Sequence, residues 1–289
     1  MKNIIYLLVF LITVSSYAQT PSPVLSVPDW VTLEANIPYD KHEANVLDVM
    51  YPKTKTKIKC PGVVVFHGGG WIRSSKETTM NALCLPYLNK GFVVCNVEYR
   101  VASAATAPAA VTDALNATKW FLDHADKYNV DPNRIVVTGA SAGGHLALMV
   151  GMTPESANLG PVTKVAAIVN GYGITDVADL LEGLHRQSWA TEWIPEHPER
   201  MELAKRVSPM TYVRHDLPPI LTVQGQNDTT VPIEHGIKLT KALEEAKVDA
   251  KIIIVPDAAH DFSARQWPLI NAHIFEFLTK RGIIREDIK

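Results

Sequence analysis

The 289-residue chain is long enough for one large domain or two small ones, and 47% hydrophobic with 20% charged residues is the composition of an ordinary globular protein. A formal net charge of −2 leaves no basic surplus to neutralise phosphates, so nucleic acid is excluded as an expected partner. The three cysteines, Cys60, Cys84 and Cys95, stand in no C-x-x-C or Cys/His spacing, so no metal site is expected and buried thiols are the simpler reading.

The N-terminus reads as a targeting signal. Lys2 precedes an almost unbroken apolar run, Ile4 to Val14, and Ser16-Tyr17-Ala18 offers small residues where a signal peptidase reads them. Cleavage after Ala18 is expected, giving a signal peptide of residues 1–18 and a mature chain of 19–289. The run is shorter than the roughly 20 apolar residues of a spanning helix, so no stable membrane insertion is expected after cleavage. The mature protein is then expected in the periplasm or secreted. The odd cysteine count leaves at least one thiol without an intramolecular partner there.

Gln19 to about Pro28 is Pro- and Ser-rich and reads as an extended tail. Val31–Asn36 and Asn45–Tyr51 read as early strands. Gly62–Phe66 is a run of β-branched residues ending in Phe, as in a strand buried on both faces. Phe92–Val97, Ile135–Thr138, Val165–Val169, Ile220–Val223 and Lys251–Val255 repeat that pattern. Helical patterns lie between, at Glu77–Asn89, Ala109–Tyr128 with Asn129 as its stop, Ala142–Gly151, Glu234–Lys247 and Trp267–Arg281. Strands alternating with helices predict an α/β fold, a mostly parallel sheet with helices on both faces. Between Ile174 and Pro219 the alternation lapses for about forty residues that carry Trp189 and Trp193. So long an interval reads as a small lid insertion over the site.

Gly139-Ala-Ser141-Ala-Gly143 fits G-x-S-x-G, a weak signal by itself. Its position, directly after the predicted strand Ile135–Thr138 and directly before a helix, makes it a nucleophile elbow. Small residues flank Ser141 because the turn is too sharp for larger ones, and the helix N-terminus favours negative charge beside its hydroxyl. Upstream, His67-Gly-Gly-Gly70-Trp71 follows the strand ending at Phe66. Glycines there leave backbone N–H groups free to face a substrate, so Gly69 and Gly70 are expected to form an oxyanion hole with the amide of Ala142. The loop lacks both phosphate-binding glycine patterns, so phosphate binding is disfavoured.

A serine hydroxyl needs a base, and that base an orienting carboxylate. Asp228 follows the strand at Ile220–Val223, and His260 follows the next strand, giving the order Ser141, Asp228, His260. Ten histidines are present, but only His260 has this placement. His67 is its main competitor and fits better as an organiser of the glycine loop. Asp176 remains the alternative acid. Asp257 and Asp261 stand too near His260 to reach behind its ring.

These motifs, together with Asp131-Pro-Asn-Arg-Ile135, Gly139–Leu146, Gln224–Pro232 and His260-Asp-Phe262, make the chain resemble the α/β-hydrolase superfamily from about Val46 onward. Within it, the resemblance is to hormone-sensitive-lipase-related esterases and to secreted carbohydrate-esterase-like enzymes of the acetyl xylan and feruloyl esterase kind. It implies a cofactor-free serine carboxylesterase that cleaves short acyl esters through an acyl-enzyme, on a small-molecule or carbohydrate ester. Peptide or amide hydrolysis, as in serine peptidases and arylformamidases of the same fold, is the alternative activity; a non-catalytic binding protein is disfavoured because all three triad candidates are present. Trp71, directly after the glycines, is expected as one wall of a short acyl pocket. Trp189 and Trp193, among Glu192, Glu196, His185 and His197, suit a polar alcohol such as a sugar.

Overall fold

The computed structural model describes residues 27–54 and 57–285. The signal peptide expected at residues 1–18 lies outside the described residues. Eight strands form one sheet in the order β1-β2-β4-β3-β5-β6-β7-β8. They are β1 (Val31–Pro38), β2 (Val46–Pro52), β3 (Cys60–Phe66), β4 (Val93–Val97), β5 (Val130–Ala140), β6 (Ala167–Gly171), β7 (Ile220–Gly225) and β8 (Ala250–Val255). β2 runs antiparallel to both β1 and β4, and every pairing from β4 across to β8 is parallel.

The β-branched runs explain the burial. Successive side chains point to opposite faces, and here both faces are covered. Val64 and Phe66 enter one core while Val63 and Val65 enter the other. The first core receives α2 (Ala109–Asp123), α3 (Ala142–Met152) and α6 (Glu234–Glu245); the second receives α1 (Leu85–Leu88) and α7 (Trp267–Thr279). This is the α/β-hydrolase architecture.

Two predicted helices differ from expectation. The Glu77–Asn89 pattern is helical throughout but changes winding, from a 3-10 turn at Lys76–Thr79 to a π turn at Met80–Cys84 and then α1. Pro86, near the start of α1, has no N–H to give a carbonyl one turn back, and the wide turn precedes it. The Ala109–Tyr128 pattern ends early, at Asp123. The ring of His124 takes the Trp120 carbonyl at 2.8 Å, and the chain turns through Asn129 at φ 57° before β5.

Between β6 and β7 the chain leaves the sheet. The interval holds two short helices, α4 (Ser188–Trp193) and α5 (Arg200–Arg206), and 3-10 turns at Ala178–Leu180, Gly183–His185 and Pro209–Tyr212. Chain order reverses around β3: β4 lies on one side of it and β5 on the other. A crevice opens at the carboxyl ends of strands at such a switch point. The glycine loop leaves β3 there, and Ser141 leaves β5. Among the described residues no helix is long and apolar enough to cross a membrane. Cys84 and Cys95 are buried free thiols, and burial pushes the Cys84 thiol up to about 12.

Candidate active site

β5 ends in a turn that only small flanking residues permit. A Cβ on Gly139 would stand 2.4 Å from the backbone of Gly143, and one on Gly143 would stand 2.1 Å from the Phe66 carbonyl oxygen. Ser141 sits between them at φ 58°, ψ −120°, a conformation that a non-glycine residue keeps only when its surroundings enforce it. Its N–H donates to Gly171 O on the neighbouring strand at 2.8 Å, which fixes the turn.

The loops after β7 and β8 bring two more side chains to this hydroxyl. His260 Nε2 lies 2.9 Å from Ser141 Oγ, and His260 Nδ1 lies 2.9 Å from Asp228 Oδ2 and 3.1 Å from Oδ1. A buried carboxylate that accepts from Nδ1–H leaves the Nε2 lone pair facing the serine. The Asp228 side chain has no exposed surface, so its charge needs full compensation. It also accepts from Thr230 N at 2.9 Å, Val231 N at 3.0 Å and Gln224 Nε2 at 3.0 Å. Such an arrangement can strip the proton from a serine hydroxyl and hold the resulting imidazolium.

Asp176, the alternative acid, is elsewhere. Its carboxylate caps the Ala178 N–H at 3.1 Å, and its backbone lies against His235 rather than His260. Asp261 accepts from the Tyr172 hydroxyl at 3.2 Å. The Tyr172 ring stands edge-on to His260, 5.0 Å between centroids, and burial raises its phenol well above the ordinary tyrosine range.

His67 does organise the glycine loop. Its Nδ1–H donates to Gly68 O at 2.7 Å, its ring stacks on Tyr99 at 4.0 Å, and its Nε2 lies 3.3 Å from Glu98 Oε1. The Tyr99 hydroxyl donates to His67 O at 2.9 Å. Gly69 and Gly70 turn through φ 108° and 62°. Among the described residues no protein group accepts their N–H groups. Ala142 opens α3, so its N–H has no intrahelical partner. Gly69 and Gly70 line the same cleft as Ser141, and Ala142 follows Ser141 directly in the chain.

The cleft has a volume of about 350 Å³. Arg73, Ser74, Thr78, Thr230 and Asp261 give it a polar rim; Leu83, Tyr172, Trp189 and Trp267 give it apolar walls. Trp71 is not among the lining residues, which corrects the expectation of it as a wall. Its indole is fully buried, stacked on Trp193 at 4.0 Å and tilted against Trp189 at 5.5 Å. Trp189 occupies the place foreseen for Trp71: a Cβ on Gly70 would meet its indole at 3.1 Å. The sequence pattern singled out Trp189, together with Trp193, as suited to a polar alcohol; Trp189 lines the cleft whereas Trp193 is fully buried. It passed over Tyr172 and Trp267 as site residues. Their one signal was an aromatic shortly after a strand or at a helix start. Among the described residues no group of three or more His, Cys, Asp or Glu is arranged to hold a metal ion.

The BD-FAE family model matches residues 47–243, more than half of the chain. The chain belongs to the BD-FAE family. Like other similar proteins, "Esterase LipC" of Mycobacterium tuberculosis is a relative at 28% identity over 256 residues, covering 81% of this chain and 62% of that protein. The chain spans about half to three-fifths of the length of the curated relatives it matches. Among solved structures, a "truncated form of carbohydrate esterase from gut microbiota" superposes with a TM-score of 0.75 at 26% identity, covering 86% of this chain and 96% of that one. Esterase 2 of Thermogutta terrifontis with propionate bound gives 0.72 at 26% identity, covering 90% and 97%. The BD-FAE match begins inside β2 and ends inside α6, so it includes the glycine loop, Ser141 and Asp228 and stops short of His260.

Proposed function

We propose that this chain is an exported serine carboxylesterase that removes short acyl groups, acetyl to about butyryl, from an acylated carbohydrate. The observation that carries the reading is the unbroken contact from Ser141 Oγ through His260 to Asp228, each step 2.9 Å. Ser141 Oγ attacks the acyl carbon as its proton passes to His260 Nε2. The Asp228 carboxylate stabilises the imidazolium, and the N–H groups of Gly69, Gly70 and Ala142 receive the oxyanion. His260 then protonates the departing alcohol, leaving the acyl group on Ser141. Water, deprotonated by His260, releases it by the same steps in reverse.

The cleft's size and mixture of groups support the substrate class. Trp189 and Trp267 offer flat apolar faces beside a polar rim, a combination suited to a sugar hydroxylated on its edge and apolar on its face. The insertion at 174–219 contributes Trp189 and serves as the lid. Esterase 2 of Thermogutta terrifontis accommodates propionate and butyrate, and a carbohydrate esterase shares the fold. Export rests on Lys2, the Ile4–Val14 run and Ala18. The test is a panel of aryl esters from two to sixteen carbons, acetylated sugars, feruloyl esters and peptide anilides. The highest kcat/KM is expected on acetyl to butyryl esters. A gain that continues beyond eight carbons, or faster turnover of anilides, would overturn the reading.

A further inference from the structure

Gly69, Gly70 and Trp71 follow one another at φ 108°, 62° and 61°. Glycine adopts these angles freely, but a bulky side chain does not, and Trp71 keeps its conformation only because something outside the loop enforces it. The enforcing contacts are visible. The Trp71 indole is stacked on Trp193 and stands edge-on to His145 at 4.8 Å. Its Nε1–H donates to His145 Nδ1 at 3.2 Å. His145 lies in α3, one turn after Ser141. Its other nitrogen lies 2.7 Å from Val207 O, at the end of α5 in the 174–219 insertion.

The chemistry of these contacts fixes the ring's proton. A carbonyl oxygen only accepts, so Nε2 carries the hydrogen. The Nδ1 of the neutral ring is then an acceptor, as the indole N–H requires. Complete burial depresses this imidazole to about 4, so the neutral form persists at working pH. One side chain thereby bonds three separate pieces: the nucleophile's helix, the glycine loop and the insertion. His145 is fully buried and does not line the cleft, so it touches no substrate.

We propose that His145 is a positioning residue that clamps the Trp71 end of the glycine loop to the helix carrying Ser141, keeping the Gly69 and Gly70 N–H groups in register with the oxyanion. This rests on the reading of those amides as the oxyanion hole. A histidine that merely filled the core would support stability without favouring the transition state over the substrate.

The experiment compares His145→Leu and Trp71→Phe with the unaltered protein, each well below its unfolding temperature. The probe is an aryl trifluoromethyl ketone, whose adduct with Ser141 carries a negatively charged oxygen where the oxyanion forms. The readouts are its Ki and, separately, kcat and KM for a short aryl acetate. His145→Leu is expected to raise Ki and lower kcat by about ten- to a hundredfold, with KM within about twofold. Trp71→Phe keeps a ring but removes the N–H, and is expected to move Ki and kcat in the same direction by a smaller factor. If His145→Leu does not fold, Trp71→Phe alone decides. Folded variants with unchanged Ki and kcat and only a lowered melting temperature would overturn the clamp while leaving the oxyanion reading intact. Should the unaltered protein bind the ketone no more tightly than the ester, the oxyanion reading itself fails, and the clamp with it.

Discussion

On one side of the cleft, His260 and Asp228 are held by directional bonds: five protein donors and acceptors meet within 3.1 Å of the Asp228 carboxylate and the outer nitrogen of His260. On the other side, Trp71, Trp189 and Trp193 are held by ring packing, with a single indole N–H bonded to His145. The difference reflects what each wall must do. A proton path tolerates only short, aligned contacts, and a buried carboxylate must have every lone pair answered. A strained loop needs bulk around it, and stacked rings supply bulk with only one polar N–H apiece; that of Trp193 is buried and meets no acceptor among the described residues. Changes on the first wall should therefore alter rate with little effect on stability, and changes on the second should alter stability, loop geometry or substrate fit.

The largest expected effect tests the first wall. Ser141→Ala should leave the melting temperature nearly unchanged and lower kcat by roughly four to six orders of magnitude, because the acyl-enzyme of the proposed mechanism could not form. Steady-state kinetics check this, and a residual tenth of the rate would sink the assignment. Next, Asp228→Asn keeps volume and removes the charge facing His260, and should lower kcat by roughly two to four orders of magnitude. Asp176→Asn should stay within about twofold. A larger loss at Asp176 would break the distinction between the orienting acid and a turn residue.

Opposite, the tryptophan cluster, of which only Trp189 lines the cleft, predicts a reversed pattern. Trp71→Ala empties a fully buried site and should cost about 3–5 kcal/mol of stability, read by chemical denaturation. Trp189→Ala, half-buried at the cleft, should cost much less and instead shift the preferred acyl or alcohol size. Equal stability losses at the two positions, with unchanged substrate preference at Trp189, would erase the contrast between core tryptophan and wall tryptophan.

The smallest effect is one of pH. In the folded protein, burial holds His145 neutral down to about 4, whereas an unfolded chain takes up that proton near 6.5. Between these values the unfolded state binds more protons, so the contribution is complete above about pH 6.5 and declines as pH falls toward 4. The decline amounts to at most roughly 3 kcal/mol. His235, also depressed by burial, acts in the same direction. Denaturation midpoints measured from pH 7 to 4 should fall less steeply in His145→Leu than in the unaltered protein. Parallel slopes would show that His145 is not a buried neutral imidazole.

Much of the site was legible in the chain because its chemistry depends on local order. An elbow needs Gly139 and Gly143 around Ser141, a loop of free amides needs consecutive glycines, and the strands that precede Asp228 and His260 announce themselves by continuous β-branched runs. β3, β4, β6 and β7 fall within two residues of their predicted positions for the same reason: a strand covered on both faces admits little but apolar side chains. β5 begins five residues before Ile135, through the polar Asp131-Pro-Asn-Arg stretch that an apolar pattern does not register. Helix winding and helix ends were less legible, since Pro86 in the first and His124 in the second act through single hydrogen bonds lost or gained, which periodicity does not register.

By itself the sequence determined the order of strands and helices, the nucleophile turn and the family. Each follows from residues near one another along the chain, where sterics and burial leave few alternatives. Only the tertiary structure decided between Asp228 and Asp176, because both follow strands and only distance to His260 separates them. It alone exchanged Trp71 for Trp189 as the cleft wall, since which of two indoles faces solvent depends on how the insertion folds back over Gly70. And it alone joined His145, Trp71 and Val207, three residues far apart in the chain whose bond pattern exists only once the helix, the loop and the insertion have packed together.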